Sequence, residues 1–330
     1  MADQTFNMTP FESSTLTDAI NQTKFAGGGV ISRLGLFDES GIATTSATVD
    51  FQDNALVLLP TIPRGGVATV HTDSSRSVIT IDAVHIPTRS TLYADAIQDR
   101  REFGTTNLDS VSAVLNRRLV SMKANIDLTT EYHAYGAIKG QMLDADGAVL
   151  LDMFAAFGIA QQTLAMDLGS TSKLLLNTSI TAERMSEDAL GGATPASFVA
   201  LCAPDFMDAI RSNSSYVNDL KYQAPNDLFK DFRNGISIGN VTYIECRSSP
   251  GLPRRIEAGS AYLVPMGIPG LLLRKFAPAP YMDTVNTPGL PYYAKSEALA
   301  FDKGVSIEAN SNPISFCTRP SSIVKLLKAA

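Results

Sequence analysis

The feature that most constrains this chain is a run of apolar residues at three- and four-residue steps: Leu108, Val111, Leu115, Leu119, Met122 and Ile126. That spacing makes one face of an α-helix apolar, and Thr106-Asn107-Leu108-Asp109 before it resembles a capping box with Asp in place of the usual Glu. The pattern fades at Gly136 and Gly140, so Thr106 to Tyr135 is expected to form one helix of about 30 residues, roughly 45 Å long. This exceeds the common globular length. A helix of that size in a modest domain is a structural spine, with Arg117, Arg118, Lys123 and Asn125 expected on its polar remainder.

On the N-terminal side, residues 1 to about 35 are polar and rich in Thr, Asn and Ser up to Gly27-Gly28-Gly29, with too few spaced apolar residues to bury a face. They are expected to form an extended arm. Short β-rich runs follow between Asp50 and Pro87 (Ala55 to Leu59, Val67 to His71, Val78 to Ile86), separated by Pro63-Arg64-Gly65-Gly66 and Thr72-Asp73-Ser74-Ser75. A hairpin-like excursion that needs a neighbour to cover it is the expectation. Beyond the spine, Gln141 to Phe157 suggests a hairpin around Asp144-Ala145-Asp146-Gly147, and Ser170 to Leu190 a helix ended by Gly191-Gly192. Phe198 to Cys202 is expected to be a buried strand, Pro204-Asp205 to open a helix toward Arg211, and Ile236 to Glu245 to alternate like a strand. A Pro- and Gly-rich stretch then precedes a final strand-like run from Ile314 to Leu327.

With 330 residues, 45% of them hydrophobic, the chain can bury a sizeable core. Its net charge of -6 argues against tight electrostatic binding to a phosphate backbone. Met1-Ala2-Asp3-Gln4 lacks the basic and apolar runs of a leader, and the longest nearly apolar stretch, Ala148 to Ala160, is interrupted by Asp152, so no targeting or membrane segment is expected. Cys202, Cys246 and Cys317 lie far apart without a CxxC pair, as expected of reduced, buried thiols and not of disulfides or zinc.

A search for chemistry finds one match, Gly235-Ile236-Ser237-Ile238-Gly239, which fits the nucleophile elbow of serine hydrolases. The elbow needs a helix after its serine, yet Asn240 to Ile244 continues in β alternation. A triad needs a histidine downstream, whereas His71, His85 and His133 all lie upstream. A hydrolase built on Ser237 is thus the minor alternative. Gly27-Gly28-Gly29 lacks the Lys-Ser/Thr of a phosphate loop, and Asp144 and Asp146 before Gly147 lack the later ligands of a calcium loop. Neither His85 nor His133 has a motif partner. No catalytic residue, cofactor or metal site is expected. An arm, a protruding excursion and a long spine bury surface best between chains, which points toward assembly.

The C-terminal third carries a more specific signal. The run from Phe276 to Pro320, FAPAPYMDTVNTPGLPYYAKSEALAFDKGVSIEANSNPISFCTRP, resembles the end of lambda-type capsid E proteins, and Leu59 to Gly66, LPTIPRGG, resembles their extended-loop region. The resemblance covers roughly residues 45 to 325 and implies an α+β chain of the Hong Kong 97 type capsid fold. It implies an N-terminal arm over 1–44, an extended loop over 45–88, a spine helix and peripheral domain over 89–193, an axial domain over 194–277, and a C-terminal segment over 278–330 returning to the core. It further implies the major head protein of a tailed double-stranded DNA bacteriophage, assembled in the host cytoplasm into hexamers and pentamers of an icosahedral virion shell. Implied partners are the chain itself, portal and scaffold or decoration proteins, and packaged DNA held by weak contacts. An encapsulin-like compartment of the same fold is a further alternative. Arg64, Gly65 and Gly66 at the loop tip are the candidate assembly contacts, because glycine frees the backbone and arginine suits bidentate contact with a carboxylate.

Overall fold

The apolar spacing does fold as one helix, over Val111–Lys139, in the computed structural model, which describes residues 13–22, 29–52, 76–98, 111–169, 175–214, 216–217, 235–248 and 253–329. The helix ends four residues later than its apolar pattern suggested and runs straight through Gly136. Thr106 to Asp109, with the expected capping box, lies outside the described residues.

Before this helix come α1 (Ser13–Gln22), α2 (Val30–Leu34), β1 (Asp38–Gly41), β2 (Ser46–Gln52), β3 (Arg76–Asp82) and β4 (Ile86–Tyr93), so the spine is α3. After it come β5 (Gln141–Leu143), β6 (Val149–Asp152), α4 (Met153–Phe157), β7 (Thr163–Asp167), α5 (Leu175–Ala189), β8 (Ser197–Cys202) and α6 (Pro204–Ser212). The remainder is β-rich: β9 (Ile236–Ile238), β10 (Val241–Glu245), β11 (Ser260–Met266), β12 (Leu272–Phe276), β13 (Tyr293–Ala298), β14 (Gly304–Ser311), β15 (Pro313–Cys317) and β16 (Val324–Ala329).

The chain divides into two units, one built from residues 1–47, 81–133 and 273–315, the other from 48–80, 134–272 and 316–330. In the first, β13, β14 and β4 form an antiparallel sheet, with Tyr293 opposite Asn310 and Gly304 opposite Tyr93. Leu115, Leu119, Met122 and Ile126 of the spine pack with Ala294, Ile307 and Ala309 of that sheet and with Leu16 and Ile20 of α1. The expectation of extended backbone is therefore corrected over Ser13–Gln22, which is helical. Leu16 and Ile20, one turn apart, make a narrow apolar edge that is too small to stand alone, but burying each against the spine and sheet is worth about 1.5–3 kcal/mol.

In the second unit a six-stranded mixed sheet runs in the order β7-β16-β11-β8-β10-β9. Strand β8 is buried along Phe198–Cys202, pairing parallel with β10 and antiparallel with β11. A continuous apolar run is what a strand covered on both faces requires. Helix α5 packs against β7, β9, β11 and β16, and its Ser179 hydroxyl meets the Tyr243 hydroxyl of β10 at 2.7 Å. Two expected single strands prove to be interrupted. Ile236 to Glu245 folds back as β9 and β10, with Gly239 (φ 62) in the left-handed region that a two-residue turn needs. Ile314 to Leu327 divides into β15 and β16 at a 3-10 turn over Pro320–Ser322, because proline lacks the N–H that a continuing strand would use. The hairpin expected over Gln141 to Phe157 forms as β5 and β6, but Met153–Phe157 is helical, capped by Asp152. Strands β2 and β3 pair with each other, and residues 53–75 between them, which hold most of the expected excursion, lie outside the described set.

Candidate functional site

Lys123, Asp127 and Glu131 recur at four-residue steps along one side of the spine, so they stack above one another in a polar stripe. All three are buried. Lys123 was expected on the polar remainder of the helix, but it is only 5% exposed and donates from Nζ to the Ile20 carbonyl at 2.9 Å. Its ammonium also sits 4.4 Å from the centre of the Tyr292 ring. Burial draws the Lys123 pKa down while the nearby Asp127 charge opposes the shift. Asp127 accepts a hydrogen bond from the Tyr292 hydroxyl. Burial pushes its carboxyl above the ordinary value, against the opposing pull of that hydrogen bond and of Lys123 and Arg274. Glu131 accepts from the Ile31 amide at 3.0 Å and from the Ser32 hydroxyl at 2.9 Å.

The signs of this stripe match the segment it holds. The cation meets the C-terminal end of α1, where carbonyls lack helical partners, and the carboxylate meets the Ile31 amide in the first turn of α2, where donors lack them. Farther along, Arg274 on β12 stands directly opposite Glu39 on β1 and donates to it at 2.7 Å, with its guanidinium 5.0 Å from the centre of the Phe37 ring. Lys275, the next residue, donates to Ser40 at 2.6 Å. The N-terminal segment is thus clasped at Ile20, Ile31 and Glu39 by charged groups more than 90 residues away in sequence.

The sequence-nominated sites fare differently. Arg64, Gly65 and Gly66 lie outside the described residues, as do His71, Gly27 and Gly28. Ser237 is exposed in the middle of β9, its hydroxyl 3.2 Å from that of Thr242 across the hairpin, and no helix follows it. The strand-serine-helix elbow is therefore not formed. His85 is 2.6 Å from the Asn312 side-chain oxygen, and His133 is buried in the spine. Asp144 and Asp146 accept amide hydrogen bonds from Ala145 and Ala148 in a tight turn, and among the described residues no His, Cys, Asp or Glu cluster suits a metal ion. The three cysteines are buried without a disulfide, and no described helix is long and apolar enough to cross a membrane.

One polar cleft, about 230 Å³, is lined by Lys139, Gln141, Glu257, Tyr262 and Lys325 among others. Its carboxylate is already engaged, since Glu257 takes Lys139 at 3.2 Å and the Tyr262 hydroxyl at 2.9 Å. Burial works to raise the Glu257 pKa, but Lys139 and these hydrogen bonds hold it below the ordinary value. An acceptor so occupied suits a structural ion pair. Lys123, Asp127 and Glu131, buried and hydrogen-bonded along the spine, were missed by motif reading. Their one signal is the four-residue spacing of charges on a helix otherwise read by its apolar face.

Comparison with solved structures defines the class. The fold matches the capsid of a native GTA particle with a TM-score of 0.56 at 12% identity, covering 94% of this chain and 93% of that one. It matches the mature capsid of bacteriophage PhiM1 at 0.55 and 13% identity, over 89% and 85% of the two chains. This is the α+β capsid fold of the Hong Kong 97 type. By sequence, residues 12–328 match the model of phage major capsid protein E, and the chain belongs to that family. It is similar to the major capsid proteins of Pseudomonas phage KPP10, 26% identical over 90% of this chain and 91% of that protein, and of Salmonella phage Felix O1, 24% identical over 90% of each.

Proposed function

We propose that this capsid protein is the major head protein of a tailed double-stranded DNA phage, closing on copies of itself as hexamers and pentamers of an icosahedral virion shell. The family match across residues 12–328 carries the reading. Its role is structural and not enzymatic, in keeping with Ser237 standing mid-strand with no helix after it. Residues 1–44 act as the arm, 45–88 as the extended loop, 89–193 as spine and peripheral domain, 194–277 as the axial domain, and 278–330 as the return to the core. Arm and loop lie over neighbouring subunits. Each contact is modest, but a closed shell multiplies them until loss of one subunit breaks many together.

Arg64, Gly65 and Gly66 at the loop tip are proposed to reach a neighbour's acidic surface. Arg64→Ala is expected to lower particle yield and heat stability, and unchanged values for both would dismiss the contact. The net charge of -6 suits an inner wall that holds packaged DNA only weakly, so that the genome is neither hindered on entry nor retained on release. Portal and scaffold or decoration proteins complete the head, which assembles in the host cytoplasm. Sedimentation of the full chain, expressed alone and with the neighbouring head genes, tests the reading: fast species of capsomer or shell size support it, and a monomer in both settings at every concentration speaks against it.

A further inference from the structure

The first unit holds a phenylalanine that stands almost fully exposed. Phe301, at the tip of the β13–β14 hairpin, is 91% exposed and adopts φ 61 and ψ 25, a left-handed conformation that glycine or asparagine takes at less cost. Asp302 beside it has φ 53. The tip is nonetheless a defined turn, with the Leu299 amide bonded to the Gly304 carbonyl at 2.8 Å and the Asp302 amide to the Leu299 carbonyl at 3.0 Å. Lys303 reaches the ring at 5.8 Å, and the neighbouring strand ends in a second exposed aromatic, Tyr93. Strain and exposure at one residue both count against the isolated chain; burying the ring elsewhere would remove the exposure and offset the strain, which stays in the backbone.

At the other end of β13, the turn from Tyr281 to Pro291 carries three exposed apolar side chains, Met282 (94% exposed), Val285 and Leu290, within nine residues of one another and taken together as a patch. This turn is firmly built. Lys295 donates to Asp283 at 2.7 Å and sits over the Tyr281 ring, the Tyr281 hydroxyl donates to Glu308 at 2.9 Å, and Thr284 donates to the Ala279 carbonyl at 2.6 Å. The patch is therefore presented in one shape. Six residues of strand separate it from the hairpin tip, roughly 20 Å, so Phe301 cannot reach the patch of its own chain.

We propose that Phe301 is an intersubunit anchor that inserts into the Met282, Val285 and Leu290 patch of a second copy of this chain. The inference rests on the shell-forming reading above, which supplies copies of this chain as neighbours. Two different patches at opposite ends of one strand make a head-to-tail contact, in which every subunit gives one anchor and receives one. Such contacts do not stop at a dimer, and they form rings where the rotation between copies closes. A projecting aromatic entering a rigid apolar patch is the usual form of an energetic centre at an interface.

The test compares the full chain with F301N and traps the contact by disulfide. F301N keeps a residue at ease in the left-handed region, so the thermal midpoint of the unassembled subunit is expected to hold or rise, while the concentration needed for assembly rises about tenfold or more. Separately expressed F301C and M282C chains, mixed and mildly oxidised, are expected to give a disulfide dimer that neither chain gives alone, the native cysteines being buried. F301N assembling like the wild type would overturn the anchor while leaving the shell reading intact. A wild-type chain that never assembles would count against the shell reading, and the cysteine trap would then decide the anchor alone, the mixed dimer supporting it and its absence overturning it.

Discussion

The carboxylate of Glu131 fills the space that any side chain on Gly29 would need. A Cβ built on Gly29 would lie 2.4 Å from Glu131 Cδ and 2.6 Å from each carboxylate oxygen. The glycine thus lets the backbone approach closely enough for Glu131 to take the Ile31 amide and the Ser32 hydroxyl of α2. Gly29→Ala is expected to destabilise the chain by about 1–3 kcal/mol, since overpacking a buried contact forces its neighbours apart. In a double-mutant cycle with Glu131→Ala, the alanine at 29 should cost much less once the carboxylate is gone. Additive losses in urea midpoints would show that the two residues do not share this contact.

Helix α1 is stabilised by the spine and not by itself. Ile20 is 1% exposed and packs with Leu115, Leu119 and Ile126, so Ile20→Ala should lower stability by about 2–5 kcal/mol. Chemical denaturation of the unassembled subunit measures this, and a loss below about 0.5 kcal/mol, the scale of a surface substitution, would contradict the packing of α1.

Asp127 supplies a pH signature. Its carboxyl is held above its ordinary 3.8 by burial, with the Tyr292 hydrogen bond opposing. The folded chain therefore keeps a proton at Asp127 where the unfolded chain has released it, and this contribution is present below the ordinary value and lost as pH rises through the folded one. Asp127→Asn keeps an acceptor for Tyr292 but cannot titrate. The stability of wild type relative to this variant should then grow as pH falls from neutral toward 4, and a difference that stays flat with pH would contradict the assignment.

Ser237→Ala is expected to leave assembly and stability unchanged, and a serine-reactive probe should leave Ser237 unlabelled. Stoichiometric labelling at that residue would reopen the hydrolase alternative.

The parts of this fold legible in the sequence are those stabilised by their own pattern. The spine showed itself because Leu115, Leu119, Met122 and Ile126 repeat within one helix, and β8 because Phe198 to Cys202 is apolar without a break. Helix α1 was hidden because its partners lie in the spine and in a sheet that includes Ala294, and its own ten residues offer only Leu16 and Ile20 as large apolar side chains. The turn at Gly239 was hidden because alternation persists on both sides of it, while the one residue with positive φ looks like motif punctuation. Lys123 was misplaced for a related reason. A charge on a helix reads as solvated unless the segment that covers it is known, and that segment begins a hundred residues earlier. The exposed Phe301 follows the same logic in reverse, since an apolar letter in a sequence gives no sign that its own chain leaves it uncovered.

The most direct test of the central claim is negative-stain electron microscopy of the large fraction of the expressed full chain, alone and together with the neighbouring head genes. Regular shells, or rings of six and five subunits, are the expected result. A chain that stays monomeric in both settings, at every concentration reached, would contradict the account.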